Sequence, residues 1–136
     1  MTENTIDLEN INAMNKNTLM ETLGIEFTYF DGETIKAKMP VGPKVHQPFG
    51  ILHGGATAAL VETLGSSFSN MIASEVGKRA VGTDISVKHF RSQSEGWVEG
   101  EAKFSFKGGR LHVLDVVVYC DNGKILSKGT MTNMII

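Results

Sequence analysis

Apolar residues along this chain change their spacing several times, and each change marks a new element. Residues 5–23 place Ile6, Leu8, Ile11 and Met14, then Leu19, Met20 and Leu23, at helical intervals, with Gly24 as the expected stop. Period-two alternation follows. Residues 25–30 and 34–41 predict two strands joined at Asp31-Gly32, a dipeptide suited to a tight hairpin. In the second strand Ile35, Ala37, Met39 and Val41 alternate with Lys36 and Lys38, so one face is wet. Pro43 and Pro48, with Gly42, confine residues 42–52 to a loop.

A long helix is predicted from about His53 to Glu75, with Leu60, Val61, Leu64, Phe68, Met71 and Ile72 as its core-facing stripe. Its other side carries Ala58, Ala59, Glu62, Gly65, Ser66 and Ser69, one charge among small residues. Small side chains there let a ligand or a second backbone come close. Beyond Gly77 the period returns to two, in four strands punctuated by Ser94-Glu95-Gly96, Gly108-Gly109 and Asp121-Asn122-Gly123 and read as a meander. Two early strands, one long helix and four late strands predict an α+β fold with a mainly antiparallel sheet of five to six strands. One helix covers one face of such a sheet, so an oligomer is expected to bury the rest.

Length adds a single domain, residues 1–136, with 1–23 as an N-terminal helical segment. A net charge of -2 argues against nucleic acid as a partner, which needs a basic face. No apolar run reaches the roughly 18 to 20 residues of a membrane span, so no membrane partner is expected. The N-terminus lacks the basic and apolar regions of a signal peptide. Cys120 is the only cysteine, which excludes an intrachain disulfide and fits a cytoplasmic protein.

Candidate chemistry concentrates in residues 46–66, HQPFGILHGGATAALVETLGS. A helix opening at Gly54-Gly55 presents amides without intrahelical partners, and one of them, Gly54 before Gly55, can stabilise a carbonyl oxygen as it becomes negative. Glu62 lies two turns further in, with Ser66 at i+4 able to bond its carboxylate or a water. An oxyanion donor beside a carboxylate suits hydrolysis of an activated acyl group. His53 can cap the helix, orient a loop or bond substrate. Gln47, held extended by Pro48, can reach a carbonyl or simply be a polar loop residue. Lys88, His89 and Arg91, with Lys107 and Arg110, sit at strand ends or turns where an anionic tail could be met. His46 and His112 have no partner at metal-ligand spacing, so no metal is expected. No nucleophile elbow or nucleotide-phosphate loop is present.

Taken together, Gln47-Pro48-Phe49-Gly50-x-x-His53-Gly54-Gly55-Ala56 followed by Glu62 and Ser66 resembles the hotdog-fold acyl-CoA thioesterases. The likeness is to the phenylacetate-degradation type, in its glutamate-bearing branch with hydroxybenzoyl-CoA, dihydroxynaphthoyl-CoA and siderophore-proofreading thioesterases. It extends over residues 20–134 and includes Asp84-Ile85-x-x-x-His89-x-Arg91, where Ser92 stands in place of a frequent Pro. The resemblance implies a sheet wrapped around one central helix, paired into a dimer or a homotetramer, with the active site at the subunit interface. It implies Glu62 as general base or nucleophile, Gly54 as oxyanion donor, Gln47, His53 and Ser66 as their helpers, and His89 and Arg91 near the acyl pocket and CoA route. The substrate would be an aryl or short- to medium-chain acyl-CoA, with no cofactor beyond the CoA it carries.

Other readings remain open from the residues alone. The thioester could be carried on a protein instead of CoA, the fold could host a hydratase, or the domain could bind acyl-CoA without turnover. Spacing adds one constraint. At 1.5 Å per helical residue, Gly54 and Glu62 stand about 12 Å apart, so the site is expected to draw them from different subunits.

Overall fold

In the computed structural model, backbone is described for residues 2–136 and side chains from Leu8 onward, so the expected role of Ile6 lies outside the described residues. The N-terminal segment is helical but broken. α1 (Thr2–Met14) and α2 (Leu19–Leu23) are separated where Asn17 turns left-handed, φ 63°. The cause is local: Asn and Thr side chains compete for backbone partners, and the Thr18 hydroxyl donates to the Asn15 carbonyl. α2 stops at Gly24 as expected, in the left-handed conformation, φ 76°.

α1 closes one edge of the sheet. The Asn12 side-chain amide donates to the Phe27 carbonyl at 2.9 Å and its oxygen accepts the Phe27 amide at 2.8 Å. β1 (Glu26–Phe30) and β2 (Ile35–Pro40) form the expected hairpin, in which Asp31 Oδ1 accepts the amides of Glu33 and Thr34.

The late strands are β3 (Ala80–His89), β4 (Trp97–Lys107), β5 (Leu111–Cys120) and β6 (Ile125–Ile135). All pairings are antiparallel, in the order β1-β2-β4-β5-β6-β3. This corrects the four-strand meander. Only β4, β5 and β6 run as neighbours, while β3 pairs with β6 on the far edge. Residues 90–96 are a crossing link and not a hairpin turn: the Leu52 amide donates to Gln93 O and the Val41 amide to Gly96 O, each at 2.8 Å. Alternation identifies a strand without naming its neighbour, and β2 occupies the place beside β4.

α3 (Gly54–Ser74) lies on the concave face of this sheet, with Leu60, Val61, Leu64 and Phe68 inaccessible to solvent. Full burial of Leu60, Leu64 and Phe68 contributes about 2 kcal/mol each. Phe68 packs edge-on against Phe30 and Phe104, and Phe104 against His112. The helix comes so near β4 at Gly100 that a Cβ there would collide with Leu64. A second correction concerns the small-residue side of α3. Gly65 and Ser69 are buried against β5 and β6, where Ser69 Oγ meets His112 Nδ1 at 3.0 Å and accepts from Asn133 Nδ2 at 2.8 Å. Glu62 is exposed, and Ser66 is half-buried beside it. Among the described residues no helix is long and apolar enough to cross a membrane.

Candidate active site

The loop before α3 is built to present the helix N-terminus. Pro48 and Phe49 occupy a tight turn closed by the Gly50 amide donating to Gln47 O at 2.9 Å, with Gly50 at φ 77°. The Gln47 amide donates to Ile51 O at 2.9 Å, and its side-chain oxygen accepts from the Phe49 amide. The Gln47 oxygen is therefore used inside the loop, leaving its NH2 group for other partners. A single turn of 3-10 helix, Pro43–Val45, precedes this loop, and His53 N donates back to Val45 O at 2.8 Å.

His53 is the N-cap of α3. Its Nδ1 accepts the Gly55 amide at 2.7 Å, which puts the ring proton of the neutral imidazole on Nε2. Among the three functions open to His53, capping is the one seen. Its carbonyl accepts the Ala56 and Thr57 amides at 3.0 and 3.3 Å. The Gly55 amide is thereby engaged, whereas the Gly54 amide has no acceptor among the described residues. Gly54 is the first helical residue, so its N–H points out of the helix end.

His89, at the end of β3, reaches the same place. Its Nδ1 lies 2.7 Å from Ser127 Oγ on β6, and its ring lies over Gly54, where a Cβ would come within 2.8 Å of Nε2. Arg91 follows on the crossing link, its Nη1 donating to Ile125 O at 2.6 Å. Gln47, Gly54, Thr57, His89, Arg91 and Ser92 line one cleft of about 180 Å³. The structure thus gathers Gln47, Gly54, His89 and Arg91, with His53 and Gly55 at the helix end beside them.

The remaining candidates lie elsewhere. Glu62 is two turns along α3 and exposed, with its Oε2 3.7 Å from where a Cβ of Gly82 would stand. No hydrogen bond joins Glu62 to Ser66 among the described residues. Lys88 pairs across from Lys128 and lines a depression on the outer sheet face with Ser86 and Asp115, whereas His89 turns the opposite way. Arg110 is at the far end of β6 from His89, its carbonyl accepting the Ile135 amide at 2.9 Å. Among the described residues no cluster of His, Cys, Asp or Glu could hold a metal ion.

Ser127 was missed because a serine in an otherwise ordinary strand carries no motif. Its one signal is position: it occupies the inward row of β6 with Gly129, Met131 and Asn133.

The sequence pattern of the Thioesterase superfamily matches residues 49–127. The chain is 43% identical over 117 residues to the proofreading thioesterase EntH of Cronobacter turicensis, covering 86% of this chain and 85% of that one. It is 40% identical to the protein of the same name from Klebsiella pneumoniae, over 88% of this chain and 86% of the relative. Among solved structures, thioesterase PA1618 from Pseudomonas aeruginosa superposes with a TM-score of 0.93 at 37% identity, over 96% of this chain and 94% of that one. The six-stranded sheet around a long helix is the hotdog fold shared by such neighbours. With that fold and more than half of its length matched, the chain belongs to the Thioesterase superfamily and is a thioester hydrolase.

Proposed function

We propose that this protein hydrolyses an acyl-CoA thioester of a small aromatic or short- to medium-chain acid, at a site completed by a second copy of the chain. One observation carries this reading. The cleft at the helix start holds the Gly54 amide, which has no acceptor among the described residues, while Glu62, the one carboxylate in α3, is exposed two turns on and does not line that cleft. Two copies related by a twofold axis would place one chain's Gly54 opposite the other's Glu62.

In the proposed reaction the thioester carbonyl oxygen accepts the Gly54 amide, with the Gln47 NH2 group and His53 Nε2–H steering the acyl group. Glu62 takes a proton from water, whose oxygen adds to the carbonyl carbon, or attacks that carbon itself. On the water route the C–S bond then breaks and protonated Glu62 returns its proton to the departing CoA sulfur, which leaves as the thiol with the free acid. On the direct route CoA leaves as thiolate. Water then opens the Glu62–acyl anhydride, releasing the acid, restoring the carboxylate and supplying the proton that the thiolate takes up. Ser66 helps place the water, Gly55 keeps the helix end free of side chains, and Arg91 and His89 line the route of the CoA arm. Lys88 and Arg110 are proposed to meet the anionic tail from neighbouring subunits. Neither metal nor bound cofactor takes part, and the lone free Cys120 suits a cytoplasmic location.

Glu62→Gln keeps the shape and removes the base. Its kcat on a panel of aryl, short-chain and longer-chain acyl-CoAs should fall by roughly 10²- to 10⁴-fold, and a wild-type rate would overturn the reading. A second reading keeps the chemistry and changes the carrier. Relatives named proofreading thioesterase support a proofreading role, for which the acyl group would be tethered to a carrier protein. Rates on one acyl group presented as its CoA ester and on a carrier protein decide between the two.

A further inference from the structure

We propose that Ser127 is a positioning residue that holds His89 in one tautomer, so that its Nε2–H becomes a second donor beside the Gly54 amide. The inference rests on the reading of Gly54 as oxyanion donor and adds a residue that no motif marks.

Three observations converge. Ser127 is wholly inaccessible to solvent, and His89 Nδ1, at 2.7 Å, is the one side-chain partner of its hydroxyl among the described residues. The His89 ring covers Gly54 with its Nε2 foremost: the position of a Gly54 Cβ would be 2.8 Å from Nε2, 3.2 Å from Cδ2 and 3.5 Å from Cε1. Both His89 and Gly54 open onto the same 180 Å³ cleft.

The tautomer follows from donor accounting. If Nδ1 carried the proton it would donate to Ser127 Oγ, leaving the buried hydroxyl hydrogen with no acceptor, an arrangement proteins avoid. If instead the hydroxyl donates to Nδ1, that hydrogen is satisfied and the ring proton sits on Nε2. Nε2–H then lies against Gly54, at the wall of the cleft that both residues line. A preorganised donor in that place stabilises negative charge on a substrate oxygen bound at Gly54 without having to reorient during the reaction. The same geometry gives position 54 a second reason to be glycine, since any side chain would push the imidazole away.

Histidine ¹⁵N–¹H correlation spectra of the whole protein at neutral pH test this, with the His89 signals assigned from their loss in His89→Ala. The expected result is Nε2–H for His89 in the wild type and a mixture of tautomers in Ser127→Ala. Ser127→Ala should also lower kcat on an acyl-CoA by about tenfold, less than the hundredfold or more of deleting a donor outright, with KM little changed. Ser127→Thr, which keeps the hydroxyl, should retain the wild-type tautomer and covers the case in which Ser127→Ala does not fold. An Nδ1–H tautomer in the wild type would overturn the proposal, as would a Ser127→Ala protein with wild-type kcat. The tautomer is read without turnover, so this failure is distinct from that of the Glu62 reading, which Glu62→Gln decides alone.

Discussion

His112 shows how one buried side chain couples the core to pH. Its ring is 3% exposed, packed edge-on against Phe104 and joined through Nδ1 to Ser69. Burial, and then the nearby Lys107 charge, lowers its pKa below the ordinary 6.5. The unfolded chain therefore binds a proton more readily than the folded one. Stability is fully present above pH 6.5 and is lost as pH falls from there through the lowered folded value. Melting temperature should fall between pH 7.5 and 5, and His112→Gln should flatten that part of the curve. An unchanged slope in the variant would sink the assignment. From the sequence, His112 could be read only as lacking metal partners. Its hydrogen-bond partner, Ser69, lies 43 positions away and its cross-strand neighbour, Asn133, 21 positions away, and both meet it only through the fold.

At the scale of elements, the contact between α3 and the sheet is set by what the strands leave out. Gly100, on the inward row of β4, lies beneath Leu64 and Leu60, and a Cβ there would have to displace Leu64. Gly100→Ala should destabilise the protein by about 1–3 kcal/mol through overpacking, measurable as a lower urea midpoint with an unchanged slope. The helix itself was legible. Its apolar stripe, its start at His53 and its end within a residue of Glu75 follow from spacing and from the Gly-Gly opening. The side facing Glu62 was legible only in part, because small residues suit either an open face or a close contact. Ser66 took the first course, and Gly65 and Ser69 took the second.

The whole molecule has two sheet edges treated in opposite ways. At β1 the Asn12 side chain occupies the Phe27 amide and carbonyl, so pairing there is blocked. At β3 a ten-residue strand pairs on one side with β6 and carries an exposed Val81 on its length. An open edge of that length invites another strand, which favours β3 as the seam of the proposed dimer. Mixing subunits tests it. Glu62→Gln and Gly54→Ala homodimers should each be nearly inactive. After co-refolding, one site in each mixed dimer joins an intact Gly54 to an intact Glu62, so about a quarter of wild-type activity should return. No recovery would show that one chain supplies the whole site.

Sequence alone determined the helix with its stop signals, the strands, and the residue types around positions 47–66, because those depend on neighbours a few positions apart. It also carried the family resemblance through residues 47–66. Tertiary structure decided which strands are neighbours, which side of α3 is buried, and that His89 lies on Gly54 with Ser127 behind it. Those facts depend on pairings between residues tens of positions apart, and periodicity within one segment holds no information about the segment it will meet.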